Sequence, residues 1–221
     1  MSSKEVNCVS TLTDVNLVST TTELVPELSI LRELKQRTAT HHRALEETAG
    51  IWNCLASRAS YGNLLLRFLG IYSVLETRLA ALEELPKWLP DMSERWKLPA
   101  LESDLAILGV PTEVWAVGTG SPDIKTIAAA FGCLYVLEGS TLGGQMISRE
   151  VSERLGVGPE HGCQFFSSYG SRVGQMWRIF GQSLESFCST NPPCRDEITA
   201  SAEATFSYFS RSLSSRDRCV L

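Results

Sequence analysis

The chain has 221 residues, enough for one hydrophobic core, and its 43% hydrophobic and 20% charged residues are ordinary for a globular protein. Its formal net charge of −5, with no basic stripe, argues against nucleic acid as a partner. The sequence has no apolar run long enough to span a bilayer and no signal-peptide pattern after Met1, which predicts a cytoplasmic protein without a membrane span.

The cysteine and histidine counts restrict the possible metal chemistry. Seven cysteines, odd in number and without a CxxC pair, favour reduced thiols over a disulfide framework or a zinc site. Only three histidines are present, so a metal centre must depend on very few side chains.

The N-terminal part of the chain divides into a tail and a first helix. Residues 1–25 are rich in Ser, Thr and Val without a sustained period, which predicts a mobile tail ahead of a helical domain over residues 26–221. Leucines then recur at helical spacing and predict a helix from Leu28 to about Thr48.

Two histidines lie on this first helix. His41 and His42 fall on opposite edges of its apolar face, so periodicity does not choose between them, and either one could be a boundary residue with an ordinary hydrogen bond. Glu46 follows His42 by four residues, and its carboxylate can reach one ring nitrogen and make the other a better metal donor. The alternative is an exposed His–Glu pair that contributes little stability.

Five further helices are predicted from periodicity and cap signals. Their approximate ranges are 60–82, 99–109, 122–155, 168–188 and 196–213. The third of these is expected to begin at Ser121-Pro122-Asp123, which offers an N-cap, a proline at the first helical position and an acidic first turn. No segment has the pattern of a strand, so we predict an all-α fold of roughly six to eight helices around one core.

The third of these helices carries three glycines within the stretch LYVLEGSTLGGQ, which begins at Leu134. Each glycine in a helix interior costs roughly 1 kcal/mol relative to alanine. Gly139 and Gly143 are four residues apart on one face, with Gly144 beside them, so another object can approach the backbone closely. That object could be a second helix or a flat ligand, or the glycines could mark a helix break, and spacing leaves these alternatives open.

Two stretches of the chain resemble the haem oxygenase family. The residues Leu34, Lys35, Thr38, His42 and Glu46 resemble the proximal helix of that family, and YVLEGSTLGGQ resembles the distal helix of the bacterial form encoded beside bacteriophytochromes. The resemblance covers about residues 28–213, and the combination is more specific than either motif because the two stand in the right order, about a hundred residues apart. It implies a haem between the two helices.

The resemblance implies a role for each matching residue. His42 would be the proximal iron ligand and Glu46 its hydrogen-bonding partner, and His41 breaks the family spacing. The residues implied at the distal face are Gly139, Ser140, Gly143 and Gly144, with Tyr135 flanking the pocket. The basic residues implied at the haem propionates are Lys35 and Arg178, with Arg172 assisting. Ser140 stands where mammalian members carry an aspartate that organises distal water, so we expect that water to be held differently.

The resemblance also implies an activity. Haem would be both substrate and cofactor, and O₂ with electrons from an external donor such as ferredoxin would open the ring to the α isomer of biliverdin and release CO and ferrous iron. The product would supply a bilin chromophore to a bacteriophytochrome. One alternative is a haem-binding or haem-sensing module of the same fold that does not turn over. Another is a thiaminase-like helical protein, but no nucleophilic-cysteine constellation supports it, since Cys133 lies in the apolar helix and Cys194 in a region expected to be exposed.

Overall fold

The computed structural model of the chain describes residues 29–112 and 120–214, which are helical and contain no strand. The helices are α1 (Ile30–Ala49), α2 (Ile51–Cys54), α3 (Arg58–Ala80), α4 (Leu85–Trp88), α5 (Leu98–Ile107), α6 (Ile127–Leu155), α7 (Gln164–Ser167), α8 (Val173–Thr190) and α9 (Arg195–Ser214). Short 3₁₀ turns lie at Met92–Glu94, Gly170–Arg172 and Pro192–Cys194. The all-α prediction is confirmed, whereas the predicted tail over residues 1–25 lies outside the described residues.

The predicted helices over residues 28–48, 60–82, 99–109 and 196–213 agree with the observed α1, α3, α5 and α9 to within about two residues at each end. Two predicted starts are wrong. α6 begins at Ile127, because the side chain of Thr126 caps it by accepting a hydrogen bond from the backbone N–H of Ala129 at 3.0 Å. Ser121 instead accepts a hydrogen bond from the Arg78 guanidinium at 2.8 Å.

The helix predicted from about residue 168 also begins later. Ser168 has a positive φ of 46° and Gly170 has a φ of 57°, values that a right-handed helix does not accommodate. The chain therefore passes through the 3₁₀ turn at Gly170–Arg172 before α8 starts at Val173.

Both α1 and α6 pack against α9, which lies at the centre of the fold. The closest approach is at Gly132 of α6, where a Cβ atom would lie 2.2 Å from the carbonyl oxygen of Ile198 and 2.7 Å from the Cβ of Ser201. Ser201 also donates a hydrogen bond to the carbonyl oxygen of Ala129 at 2.7 Å. Glycine at position 132 therefore lets the backbones of α6 and α9 come together.

Contrary to the expectation that no apolar run is long enough to span a bilayer, α6 is long and apolar enough to cross a membrane by length and composition alone. In this fold, 67% of its most apolar window is buried, and the residues from Ala128 to Leu134 are buried on every face of the helix. Burial inside the protein accounts for that composition, as it does for the core helix of many globular proteins.

The start of α1 is fixed by α8 and α9. The carboxylate of Glu185 accepts hydrogen bonds from the Ser29 hydroxyl at 2.6 Å and from the Ile30 backbone N–H at 2.9 Å. Glu33 forms an ion pair with Arg195 of α9 at 2.8 Å. The Glu185 carboxylate satisfies a free N–H at the helix start and interacts favourably with the helix dipole, so α1 is held at the end that precedes its histidines.

Candidate active site

His42 lies at the point where the buried stripe of α1 reaches the surface. Leu34 is fully buried and Thr38 is 2% exposed, but the side chain of His42, one turn further on, is 43% exposed. The imidazole packs edge-on against Phe206 of α9, with ring centroids 5.8 Å apart. Its Nδ1 atom lies 3.5 Å from Oε2 of Glu46, a distance at which the carboxylate favours a proton on Nδ1. Nε2 is then the nitrogen that can act as a metal donor.

His41 differs from His42 in its surroundings. The Nδ1 atom of His41 is buried and has no hydrogen-bond partner among the described residues. No carboxylate lies beside its ring in the described part of the chain, whereas Glu46 lies beside that of His42. Helical periodicity does not choose between the two histidines, and the neighbouring carboxylate favours His42 as the metal donor, as the i, i+4 spacing of Glu46 predicts.

The glycines of α6 have different surroundings. A Cβ atom on Gly139 would meet only the ring of Trp177, at an ordinary contact distance of 3.8 Å. A Cβ atom on Gly144 would lie 2.8 Å from the carbonyl oxygen of Phe166 in α7. Gly144 therefore allows close packing, which accounts for it without a ligand, while Gly139 leaves space beside the helix. α6 is continuous from Ile127 to Leu155, so the glycines do not mark a helix break.

α1 and α6 come together one turn before these positions. Burial raises the pKa of Tyr135 on α6, and the nearby Thr38 hydroxyl of α1 partly opposes that shift, which places the two side chains in contact. The Tyr135 ring lies 5.9 Å from that of Trp177. Four residues further along each helix are His42 on α1 and Gly139 on α6. One turn beyond the Thr38–Tyr135 contact, α1 therefore carries a half-exposed imidazole and α6 carries a glycine with space beside it.

Ser140 places a hydroxyl on the exposed side of α6. It donates a hydrogen bond to the carbonyl oxygen of Leu137 at 2.7 Å, and its oxygen lies 3.3 Å from the phenolic oxygen of Tyr72 on α3. Burial raises the pKa of Tyr72, so the phenol stays protonated and can donate to Ser140. The two residues are 68 positions apart, and sequence reasoning gave Tyr72 no role because no local signal joins them.

The basic residues expected near the propionates are all exposed. Arg178 has no hydrogen bond or ion pair with another described residue. Arg172, in contrast, forms an ion pair with Glu94 at 3.0 Å. Arg178 is therefore the more available of the two arginines for an anionic group.

A buried charged cluster, which sequence reasoning missed, lies directly before Gly139. Glu138 is 2% exposed and accepts hydrogen bonds from Arg95 at 2.6 Å and from the Tyr169 hydroxyl at 2.8 Å. The fully buried Arg95 side chain also binds Asp91 through two hydrogen bonds, at 2.8 and 2.7 Å. Burial raises the pKa of Glu138, while the positive charge of Arg95 opposes that shift.

Lys97 and Glu76 lie next to this cluster. The Lys97 ammonium is 3.5 Å from the centroid of the Tyr169 ring, and burial lowers the pKa of Lys97 to about 8. The Glu76 carboxylate accepts hydrogen bonds from the backbone N–H groups of Lys97 at 2.6 Å and Leu98 at 3.3 Å. Burial raises the pKa of Glu76 to about 7.

The cysteines do not form a nucleophilic site in the described residues. Cys133 is fully buried, and burial raises the pKa of its thiol to about 12. The expectation that Cys194 is exposed is wrong: it is 8% exposed and packs 3.4 Å from the sulfur of Cys188, because the 3₁₀ turn at Pro192–Cys194 folds it back onto α8. Within the described ranges, no three His, Cys, Asp or Glu side chains cluster as a metal site. A metal held by the nitrogens of a macrocycle needs only one protein donor.

Together these features define a class of protein: a helical fold that carries a half-exposed imidazole on one helix and a glycine-bearing stretch on another, each one turn beyond the Thr38–Tyr135 contact. The haem oxygenase family, described as "Heme oxygenase", matches residues 28–215. A heme oxygenase of Xanthomonas campestris pv. campestris (strain 8004) is 34% identical over 141 residues, which cover 62% of this chain and 81% of that protein. The chain belongs to the haem oxygenase family, whose members are enzymes that degrade haem.

Solved structures show the same fold. The heme oxygenase from Neisseria meningitidis, solved in NO- and CO-bound forms, superposes with a TM-score of 0.72 at 22% identity, over 84% of this chain and 90% of that one. The heme oxygenase from Leptospira interrogans superposes with a TM-score of 0.64 at 18% identity, over 85% of this chain and 99% of that one. At these identities the likeness supports the fold, and the roles of individual residues depend on the geometry above.

Proposed function

We propose that this chain cleaves haem oxidatively to biliverdin, with release of CO and ferrous iron, using O₂ and electrons from an external reductant. The observation that carries the proposal is the placement of His42 and Gly139, each one turn beyond the contact between Thr38 and Tyr135. A half-exposed imidazole on one helix and open backbone on another fit a flat macrocycle with a central metal. Bound haem supplies both the iron that activates O₂ and the ring that is oxidised.

His42 holds the iron in this proposal. Its exposed side chain is accessible to a ligand, and Glu46 beside Nδ1 leaves Nε2 as the donor. Glu46 therefore acts by fixing the tautomer and the orientation of the ring. A neutral imidazole donates less electron density than a thiolate and favours O–O cleavage less strongly.

The exposed side of α6 forms the opposite wall. Gly139 provides space, since a Cβ atom added there would meet only the Trp177 ring, at 3.8 Å, and Gly143 is half-buried on the same face of the helix. Ser140, supported by Tyr72, provides a hydroxyl that can bind an ordered water or hand on a proton. Gly144 allows α6 to pack closely against α7, and this packing holds the glycine-bearing part of α6 in place.

The propionates are proposed to bind basic side chains at the rim. Arg178 is exposed and has no partner among the described residues, so it can pair with a carboxylate without breaking an existing contact. Lys35 is exposed on α1, and Arg172 is a secondary candidate because it is already paired with Glu94.

The finer features of the proposal are supported by the sequence resemblance. They are the α isomer of biliverdin, an electron donor such as ferredoxin, a cytoplasmic location and supply of the bilin to a bacteriophytochrome. The orientation of the macrocycle in the protein determines which of its carbons is oxidised. The basic residues at the rim are therefore expected to control which biliverdin isomer forms.

The test is a single-turnover experiment. Haemin is added to the purified protein, a reductant is supplied under air, and absorption is followed. We expect a Soret band on binding that decays as biliverdin absorption appears, and chromatography of the pigment identifies the isomer. A Soret band that persists without bilin absorption would instead indicate the haem-binding or haem-sensing module. A protein that binds no haemin would refute both.

A further inference from the structure

The open part of α6 lies between two anchors. On its N-terminal side, Glu138 is held by Arg95 and by Tyr169. On its C-terminal side, Gln145 donates a hydrogen bond to the carbonyl oxygen of Ser167 at 2.8 Å, and Gly144 lies against the backbone of Phe166. Between the anchors, Gly139 and Gly143 have no side chain that could fix the position of this turn, and Thr141 is its one buried side chain.

We infer that Glu138 is a positioning residue, whose ion pair with Arg95 fixes the backbone of Gly139 and Ser140 relative to the site. This inference rests on the proposed function, because the position matters only if a ligand lies beside these residues. Glu138 itself faces the interior and does not contact the ligand.

The anchor is rigid because Arg95 is itself held from several directions. Its guanidinium binds Asp91 through two hydrogen bonds and donates a third to the carbonyl oxygen of Met176 in α8 at 3.2 Å. Both Arg95 and Glu138 are buried, so neither can exchange its partner for water. Loss of the Glu138 charge leaves Arg95 paired with Asp91 alone, and it removes the ion pair that joins α6 to the segment that carries Arg95.

The Arg95–Glu138 ion pair is therefore expected to control the backbone positions of Gly139 and Ser140, beyond the effect of burial alone. Gly139 follows Glu138 directly, and Ser140 is two positions away. A shift of α6 at Glu138 moves Ser140 relative to Tyr72, which lies on α3 and does not move with α6. The expected consequence is a change in the space above the iron and in its hydrogen bonding.

The test compares Glu138→Gln with Glu76→Gln. Glu76 is a suitable control because it is a buried carboxylate close to the Arg95–Glu138 pair. It lies on α3 rather than α6, and its hydrogen bonds come from the backbone N–H groups of Lys97 and Leu98. For each variant the melting temperature is measured without haemin. Azide binding to the ferric haem complex is then titrated by absorption, since azide occupies the iron position opposite the histidine.

We expect both variants to melt at a lower temperature, but only Glu138→Gln to change the azide dissociation constant, by about tenfold. Glu138→Asp keeps the charge with a shorter reach, so it should recover part of the wild-type azide affinity. It also provides the measurement if Glu138→Gln does not fold, in which case a change of about threefold from wild type is expected.

An azide constant that is unchanged in Glu138→Gln, or changed equally in Glu76→Gln, would overturn the inference. If Glu138→Gln does not fold, an unchanged constant in Glu138→Asp would do the same. These results differ from failure of the proposed function, in which the wild-type protein binds haemin without cleaving it or does not bind it.

Discussion

Nδ1 of His42 lies 3.5 Å from Oε2 of Glu46, one turn later on α1. The carboxylate and the imidazole lie on the same helix, so their relative position depends on α1 alone and not on how other helices pack. His42 is thus oriented before any ligand binds.

The proximal assignment predicts different outcomes for the two neighbouring histidines. His42→Ala should weaken haemin binding by about tenfold or more and shift the ferric Soret band, because it removes the iron donor. His41→Ala is the matched control and should keep the wild-type spectrum. The measurement is a haemin titration followed by absorption, and the reverse pattern would reassign the ligand to His41.

Substitutions at two glycines of α6 should have different effects, one on activity and the other on stability. Gly139→Leu should lower the rate of ring opening by about tenfold or more by occupying space beside the iron, while stability is kept because helix propensity improves by up to about 1 kcal/mol. Gly132→Ala should destabilise the fold by about 3 kcal/mol, because its Cβ would lie 2.2 Å from the carbonyl oxygen of Ile198.

Turnover and denaturant unfolding, measured on both glycine variants, check this prediction. Normal turnover in Gly139→Leu would contradict the placement of the distal wall. Wild-type stability in Gly132→Ala would contradict the backbone contact between α6 and α9.

The two arginines near the proposed rim should differ in their effect on affinity. Arg178→Ala should raise the haemin dissociation constant about three- to fivefold, as expected for loss of an exposed ion pair. Arg172→Ala should have a smaller effect, because its guanidinium is already paired with Glu94. Titrations at low and high salt measure both effects. A change in thermal stability alone for Arg178→Ala would indicate a structural role.

Glu76 should make stability depend on pH. Burial raises its pKa from 4.5 to about 7, so between these values the folded state binds more protons than the unfolded state and the free energy of unfolding falls as pH rises. Glu76→Gln should flatten this slope, since the glutamine amide does not titrate. Its single oxygen can accept only one of the two backbone hydrogen bonds, so the variant should also be less stable than wild type at both pH values. The lowered pKa of Lys97, about 8 instead of 10.5, acts in a higher window, where stability rises with pH.

Urea unfolding at about pH 5 and about pH 7 measures the Glu76 effect as a difference between wild type and Glu76→Gln. Equal slopes for the two proteins would show that this carboxyl titrates near its ordinary value.

Local patterns were sufficient to predict α1, α3, α5 and α9, because each has apolar residues at helical spacing between clear end signals. The predicted start of α6 is wrong. Serine is a common N-cap residue, but the hydroxyl of Ser121 accepts a hydrogen bond from Arg78 of α3 and does not cap α6. Only the tertiary structure contains that contact.

The same distinction applies to the site. His42 and Glu46 are four residues apart, so their pairing could be predicted from the sequence. Glu138 and Arg95 are 43 positions apart, and Arg95 belongs to a segment without regular periodicity. Their ion pair therefore left no local signal, although it joins the residue just before Gly139 to the rest of the core.

α9 packs against both α1 and α6, which are the two walls of the proposed haem site. Beyond Thr38 and Tyr135, the separation of α1 and α6 is set by how closely each lies on α9, and at Gly132 the backbones are already at minimum distance. A larger residue in place of Ser201 would therefore push α6 away from α9 and change the width of the proposed haem site without entering it. The small side chains of α9 therefore help to set the space available to a flat ring between α1 and α6.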